Sequence, residues 1–156
     1  MRSRTANWFL CKVRYEKVTE EGLQKKVTEQ YVVDALSFTE AEARITEEMA
    51  SYINGEFDIH EIDRCVFKEI FFSDEAEADK WYKAKLQFIT IDEKSQKEKR
   101  TNVYYLVQAA SFNGAKNNIG EMMAGTMINY SIASVSETSI MDVFEYTKNN
   151  KEDEQK

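Results

Sequence analysis

The chain has 156 residues, a formal net charge of −7, 42% apolar and 12% aromatic residues, a composition that excludes general disorder and suits one folded domain. No apolar run approaches the roughly eighteen residues that a membrane-spanning helix needs. Acidity is even, with 10 basic and 14 acidic residues in 1–73 and 11 and 14 in 74–156, which disfavours nonspecific nucleic-acid binding by either half.

The basic start Met1–Asn7 runs into a strand-like alternation rather than an apolar leader, so a cytoplasmic location is expected. In that first strand Phe9, Cys11, Val13 and Tyr15 alternate with Leu10, Lys12, Arg14 and Glu16. A polar turn, Thr19-Glu20-Glu21-Gly22, leads to a return strand carrying Val27, Tyr31, Val33 and Ala35. The two strands predict a β-hairpin. A helix follows, with a capping box from Thr39 to Glu42, a staple at Phe38, and Ala41, Ile45 and Met49 as its apolar stripe. Asn54-Gly55 ends it. Two strands complete the segment, Phe57–Ile62 and Val66–Phe72.

The same order then recurs. Ser73–Lys80 reads as a capped helical turn leading into Trp81. Tyr82, Ala84, Leu86 and Phe88 open a second hairpin, which returns through Val103, Tyr105, Val107 and Ala109. A second helix from Asn113 carries Ala115, Ile119 and Met123, and strands follow at Tyr130–Val135 and Ser139–Tyr146. Glycines 114, 120 and 125 weaken this helix and suit a close approach to the other half.

Residue matches run along both copies. Val33-Asp34-Ala35-Leu36-Ser37-Phe38-Thr39-Glu40-Ala41 returns as Val107-Gln108-Ala109-Ala110-Ser111-Phe112-Asn113-Gly114-Ala115. Trp8-Phe9 matches Trp81-Tyr82, and Glu69-Ile70-Phe71 matches Asp142-Val143-Phe144. The expected fold is therefore α+β, a tandem internal duplication of a ββαββ unit. One helix per repeat covers antiparallel sheet, and a pseudo-twofold relates the repeats. The first repeat spans 7–73 and the second 74–146. They share a core as one structural domain, and 147–156 form a disordered tail.

Chemistry-bearing motifs are sparse. The P-loop, HExxH, GxSxG and Rossmann patterns are missing, and the single histidine, His60, has Ala133 at its match. Cys11 and Cys65 read as free, small apolar residues. No enzyme activity, cofactor or metal is expected. The feature that stands out is the outer sheet face, where alternation sets Lys12, Arg14, Lys83 and Lys85 beside Trp8 and Trp81. Cations among aromatic rings on a sheet are how single-strand binders hold bases and phosphates. The element order also resembles a permuted form of the tandem ββββα repeat of PUR-type and Whirly-type single-strand binders. Leu10, Val32, Tyr104 and Leu106 share that face, however, and such a patch more often packs against the sister repeat, the turn at 74–80 or another subunit.

Three strings carry a family resemblance: Trp8 to Tyr15, Val33 to Arg44, and Ile132 to Thr138. They resemble an uncharacterised domain-of-unknown-function family (number 4494) of Bacteroides-type bacteria and their phages. The resemblance implies a small soluble protein carried on phage or mobile elements, and no catalytic residue. The leading expectation is a protein-interaction or scaffolding module whose outer sheet face, around Trp8 and Trp81, docks a partner or a second copy. The alternative is single-stranded DNA or RNA binding on the outer face, and no membrane association is expected.

Overall fold

A computed structural model describes residues 1–146; the tail expected over 147–156 lies outside the described residues. The elements are β1 (Arg2–Arg4), β2 (Trp8–Val18), β3 (Gln24–Asp34), α1 (Phe38–Tyr52), β4 (Phe57–Arg64), β5 (Phe67–Phe72), β6 (Lys80–Ile91), β7 (Glu98–Ala109), α2 (Phe112–Met123), β8 (Tyr130–Glu137) and β9 (Ile140–Phe144). Two helices and two mixed sheets make the protein α+β.

The compact units cut across the halves of the sequence. Unit 1 is Met1–Thr5 with Val66–Thr138, and among the described residues unit 2 is Ala6–Cys65 with 139–146. Unit 2 holds a four-stranded sheet of order β4-β2-β3-β9, and unit 1 a five-stranded sheet of order β1-β5-β7-β6-β8. Within each, a long hairpin is flanked on its first strand by an antiparallel strand. A parallel strand flanks the second, β9 on β3 and β5 on β7.

Those parallel pairs correct the expectation of antiparallel sheets. Although only Cys65 and Val66 separate β4 from β5, the two strands do not form a hairpin. The Cys65 N–H bonds back to the Trp8 carbonyl at 2.8 Å, so β4 stays paired with β2 to its end and β5 joins the other sheet. Thr138 does the same at the end of β8, its N–H reaching the Trp81 carbonyl at 2.9 Å. Ile70, Phe71 and Phe72 are buried in succession, and burial on both faces marks an interior strand. Polar β1 then closes the edge beside β5.

Each unit closes a core beneath its own helix. Phe9, Cys11, Val13 and Val33 pack with Ala41, Ile45 and Met49 in unit 2. In unit 1, Tyr82, Ala84, Leu86, Tyr105 and Val107 pack with Phe71, Ala115, Ile119 and Met123. The helix caps lie two residues earlier than the Thr39 box. Ser37 Oγ accepts the Glu40 N–H at 3.1 Å, and Ser111 Oγ accepts the Gly114 N–H at 3.0 Å. A serine at N-cap reaches the third amide without leaving an extended backbone, here φ −153° at Ser37, which frees Thr39 for the helix itself. The helix glycines do not mark close contacts: a Cβ at Gly120 would have no neighbour within 4 Å, and one at Gly114 would meet its own cap.

The ends of the parallel strands are fixed at corresponding points. Past β9, the Tyr146 N–H donates to Asp34 Oδ1 at 2.7 Å; past β5, the Ser73 N–H donates to Gln108 Oε1 at 2.9 Å. Asp34, 1% exposed, is bridged there by Arg44, which also pairs with Glu40. In unit 1 the neutral Asn118 takes that place and donates to the Gln108 carbonyl at 3.0 Å.

Candidate functional site

The outer face lies opposite the helix in each sheet. Trp8 opens β2, Trp81 is the second residue of β6, and each is 2% exposed. Phe72 meets Trp81 edge-to-face at 5.7 Å, and the Thr138 hydroxyl donates to the Trp81 carbonyl at 2.8 Å. Such burial leaves neither indole ring open for base stacking. Phe9 and Tyr82 on the other face are buried too. Alternation reports which way a side chain points; it does not report whether that face is covered.

Toward the hairpin tips the outer face becomes polar, and the expected cations separate into two kinds. In unit 2, Lys12 lies across from Glu61 on β4, with Nζ 2.8 Å from the carboxylate. The contact raises the Lys12 ammonium pKa and lowers that of Glu61, each mainly through the hydrogen bond between them. Arg14 lies across from Asp58, and one guanidinium nitrogen is 3.1 Å from His60 Nε2. Arg14 also lines an open cleft of about 500 Å³ with Lys26, Glu16, Glu56 and Asp58, a lining of mixed charge.

In unit 1 the register sets Lys83 across from Ser136 and Lys85 across from Ser134. Lys83 Nζ stands 5.0 Å from the Tyr104 ring centroid, within cation–π range. Arg100 bonds Gln87 Oε1 at 3.2 Å. Ser134 stands across from Lys85 where Glu61 stands across from Lys12 in unit 2, and among the described residues neither Lys83 nor Lys85 forms an ion pair.

A second place went unnoticed in the sequence. At the β9 edge of unit 2, Tyr31, Tyr52, Met141, Asp142 and Phe144 line a crevice of about 170 Å³. Tyr31 stacks on Phe144 at 5.6 Å, and Tyr52 on Phe144 at 6.4 Å. Tyr52 and Met141 are 67% and 52% exposed, large apolar groups beside the edge strand of the sheet. Carboxylates ring the phenols: Tyr15 and Tyr31 both donate to Glu29, at 2.6 and 3.4 Å, and Tyr146 donates to Glu48 at 2.5 Å. Desolvation, with Glu29 adding to it, pushes the Tyr15 phenol up to about 12 and raises Tyr31 as well, so both rings stay neutral. Residues as far apart in the chain as Tyr31 and Phe144 meet here, and no local pattern records that.

Cys11 is buried and its thiol is pushed up to about 12 by desolvation; Cys65 is half-buried. Among the described residues, no cluster of three or more His, Cys, Asp or Glu is placed to hold a metal. No helix among them is long and apolar enough to cross a membrane.

No curated protein and no solved structure matches the chain. One family model, Domain of unknown function (DUF4494), matches residues 7–146, a span that takes in every element from β2 to β9. The chain therefore belongs to that domain-of-unknown-function family.

Proposed function

We propose that the protein is a non-enzymatic interaction module whose docking surface is the β9 edge of unit 2. The observation that carries this reading is the stacked aromatic crevice of Tyr31, Phe144 and Tyr52, with exposed Met141 on the edge strand beside it. An open strand edge offers backbone groups to a partner segment, and an adjoining aromatic pocket supplies the anchor that such docking needs. The proposal includes a cytoplasmic setting in Bacteroides-type bacteria and their phages. It also includes an origin of the chain by tandem duplication of a ββαββ element, spanning 7–73 and 74–146 and acting as one structural domain.

A photo-crosslinking amino acid at position 141, compared with one at Glu42 on the exposed side of α1, tests the docking surface in producing cells. A discrete adduct at 141, absent at 42 and lost when Tyr52→Ala is added, is the expected result. Equal labelling at the two positions contradicts it.

A second reading has its own support. Lys83 and Lys85 with Tyr104 form a cationic face in unit 1 that suits single-stranded DNA or RNA. Phosphate contacts there would make affinity fall steeply with salt, whereas docking at an aromatic crevice would change little.

A further inference from the structure

The two units place corresponding residues on corresponding strands, and the comparison says what the unit 2 crevice takes. Asp142 faces Tyr31 across the β9–β3 pair as Glu69 faces Tyr105 across β5–β7. Val143 and Phe144 face Val32 and Val33 as Ile70 and Phe71 face Leu106 and Val107, and both pairs have a register shift at the same point. Tyr31 on Phe144 therefore matches Tyr105 on Phe71, which stack at 4.9 Å. By the same register Met141 matches Lys68.

In unit 1 this neighbourhood holds a cation of its own. Lys68 Nζ stands 5.1 Å from the Phe88 ring, and Phe88 leans on Tyr105 at 6.4 Å. An ammonium over aromatic rings is held by their quadrupole, best within about 6 Å of the centroid. In unit 2 the neutral Met141 stands at the position of that cation. It adds instead what a cation would seek. Glu29 and Glu48 occupy the positions of Val103 and Met122, and Tyr52 that of Thr126. Among the described residues, Glu29, Glu48 and Asp142 form no ion pair. Asp142 has its carboxyl raised, first by desolvation and then by the charge of Glu48. A volume of about 170 Å³ suits the end of one side chain; whole-ligand pockets usually run to about 300–1,000 Å³.

We infer that the crevice of Tyr31, Tyr52 and Phe144 binds a cationic side chain, the ammonium of a lysine or the guanidinium of an arginine presented by a partner protein, with Asp142 as its counter-charge. This rests on the docking surface proposed above and names its chemistry. The charge enters over the rings, and the aliphatic stem lies along Met141.

The test is an NMR titration of the full-length protein, labelled in its aromatic rings and methionine methyls. The probes are blocked alanine-based pentapeptides with a central lysine, arginine or norleucine. The lysine and arginine peptides should shift the Tyr31, Tyr52, Phe144 and Met141 signals saturably, with the norleucine peptide about tenfold weaker. M141K should supply the cation internally, as Lys68 does in unit 1, and weaken peptide binding about tenfold while signals elsewhere keep their native positions. D142N should weaken it as well, without filling the crevice. Equal binding of norleucine and lysine peptides would overturn the cation inference and leave a docking edge in place. Peptide affinity unchanged by both M141K and D142N would also overturn it. Absence of any shift with all three peptides would overturn both the inference and the docking surface on which it rests.

Discussion

Lys12 in unit 2 and Lys85 in unit 1 stand at the same point of the same kind of sheet and meet different neighbours. Lys12 is 2.8 Å from Glu61, whereas Lys85 lies across from Ser134. Leu10 and Asp63 face each other in unit 2, as Lys83 and Ser136 do in unit 1. On the helix side the contrast reverses. Unit 1 sets Lys68 over Phe88, and unit 2 leaves its rings beside Met141 with three carboxylates near them. One backbone plan thus carries two opposite charge arrangements. The lesson is that the scaffold is common to both units, while what each can bind is decided by a few strand positions.

The sharpest way to break the comparison is to truncate the matched rings. Phe71 is 2% exposed and stacks on Tyr105, so Phe71→Ala should cost about 3–5 kcal/mol in urea unfolding. Phe144 is only half-buried, and Phe144→Ala should cost less than half as much. Equal losses would mean that the unit 2 crevice is as tightly filled as the unit 1 core.

The helices offer a smaller test. In α2, Gly120 has helical geometry and open space where a Cβ would stand. Gly120→Ala should stabilise the protein by about 0.5–1 kcal/mol, measured as a higher urea midpoint. A loss of stability would show that the glycine is needed for packing.

The smallest effect is electrostatic. The folded-state pKa of Glu61 is depressed by Lys12, so their pairing contributes fully above the ordinary glutamate pKa of about 4.3 and is lost as pH falls through the lower folded value. Lys12→Gln should raise the Glu61 titration midpoint seen by carboxyl NMR, and Ser134→Glu should create a similarly depressed carboxylate beside Lys85. Both carboxylates are solvent-facing, so the readout is the midpoint rather than stability.

Much of the fold was legible in the sequence because its signals are local. Alternation from Phe9 to Tyr15 marked β2, and the Ala41, Ile45 and Met49 stripe marked the buried side of α1. Strand β1 was not legible, since the three residues Arg-Ser-Arg carry no apolar pattern. The crossing of β5 and β9 to sheets built from the other half was missed for a different reason. Two-residue links look like hairpin turns, and parallel pairing leaves no mark near the link. The burial of Trp8 and Trp81 was not legible, since alternation gives the direction of a side chain and not what covers that face. The crevice was invisible because Tyr31, Tyr52 and Phe144 meet only after folding.

The central claim is that binding runs through the aromatic edge of unit 2 and not through the outer-face tryptophans. Intrinsic tryptophan fluorescence of the full chain, during titration with oligothymidylate at low and at high salt, tests it most directly. Buried Trp8 and Trp81 predict a blue-shifted emission and no saturable quenching at either salt. A red-shifted emission, quenched to saturation by the oligonucleotide at low salt and released as salt rises, would contradict the claim and assign the outer face to single-stranded nucleic acid.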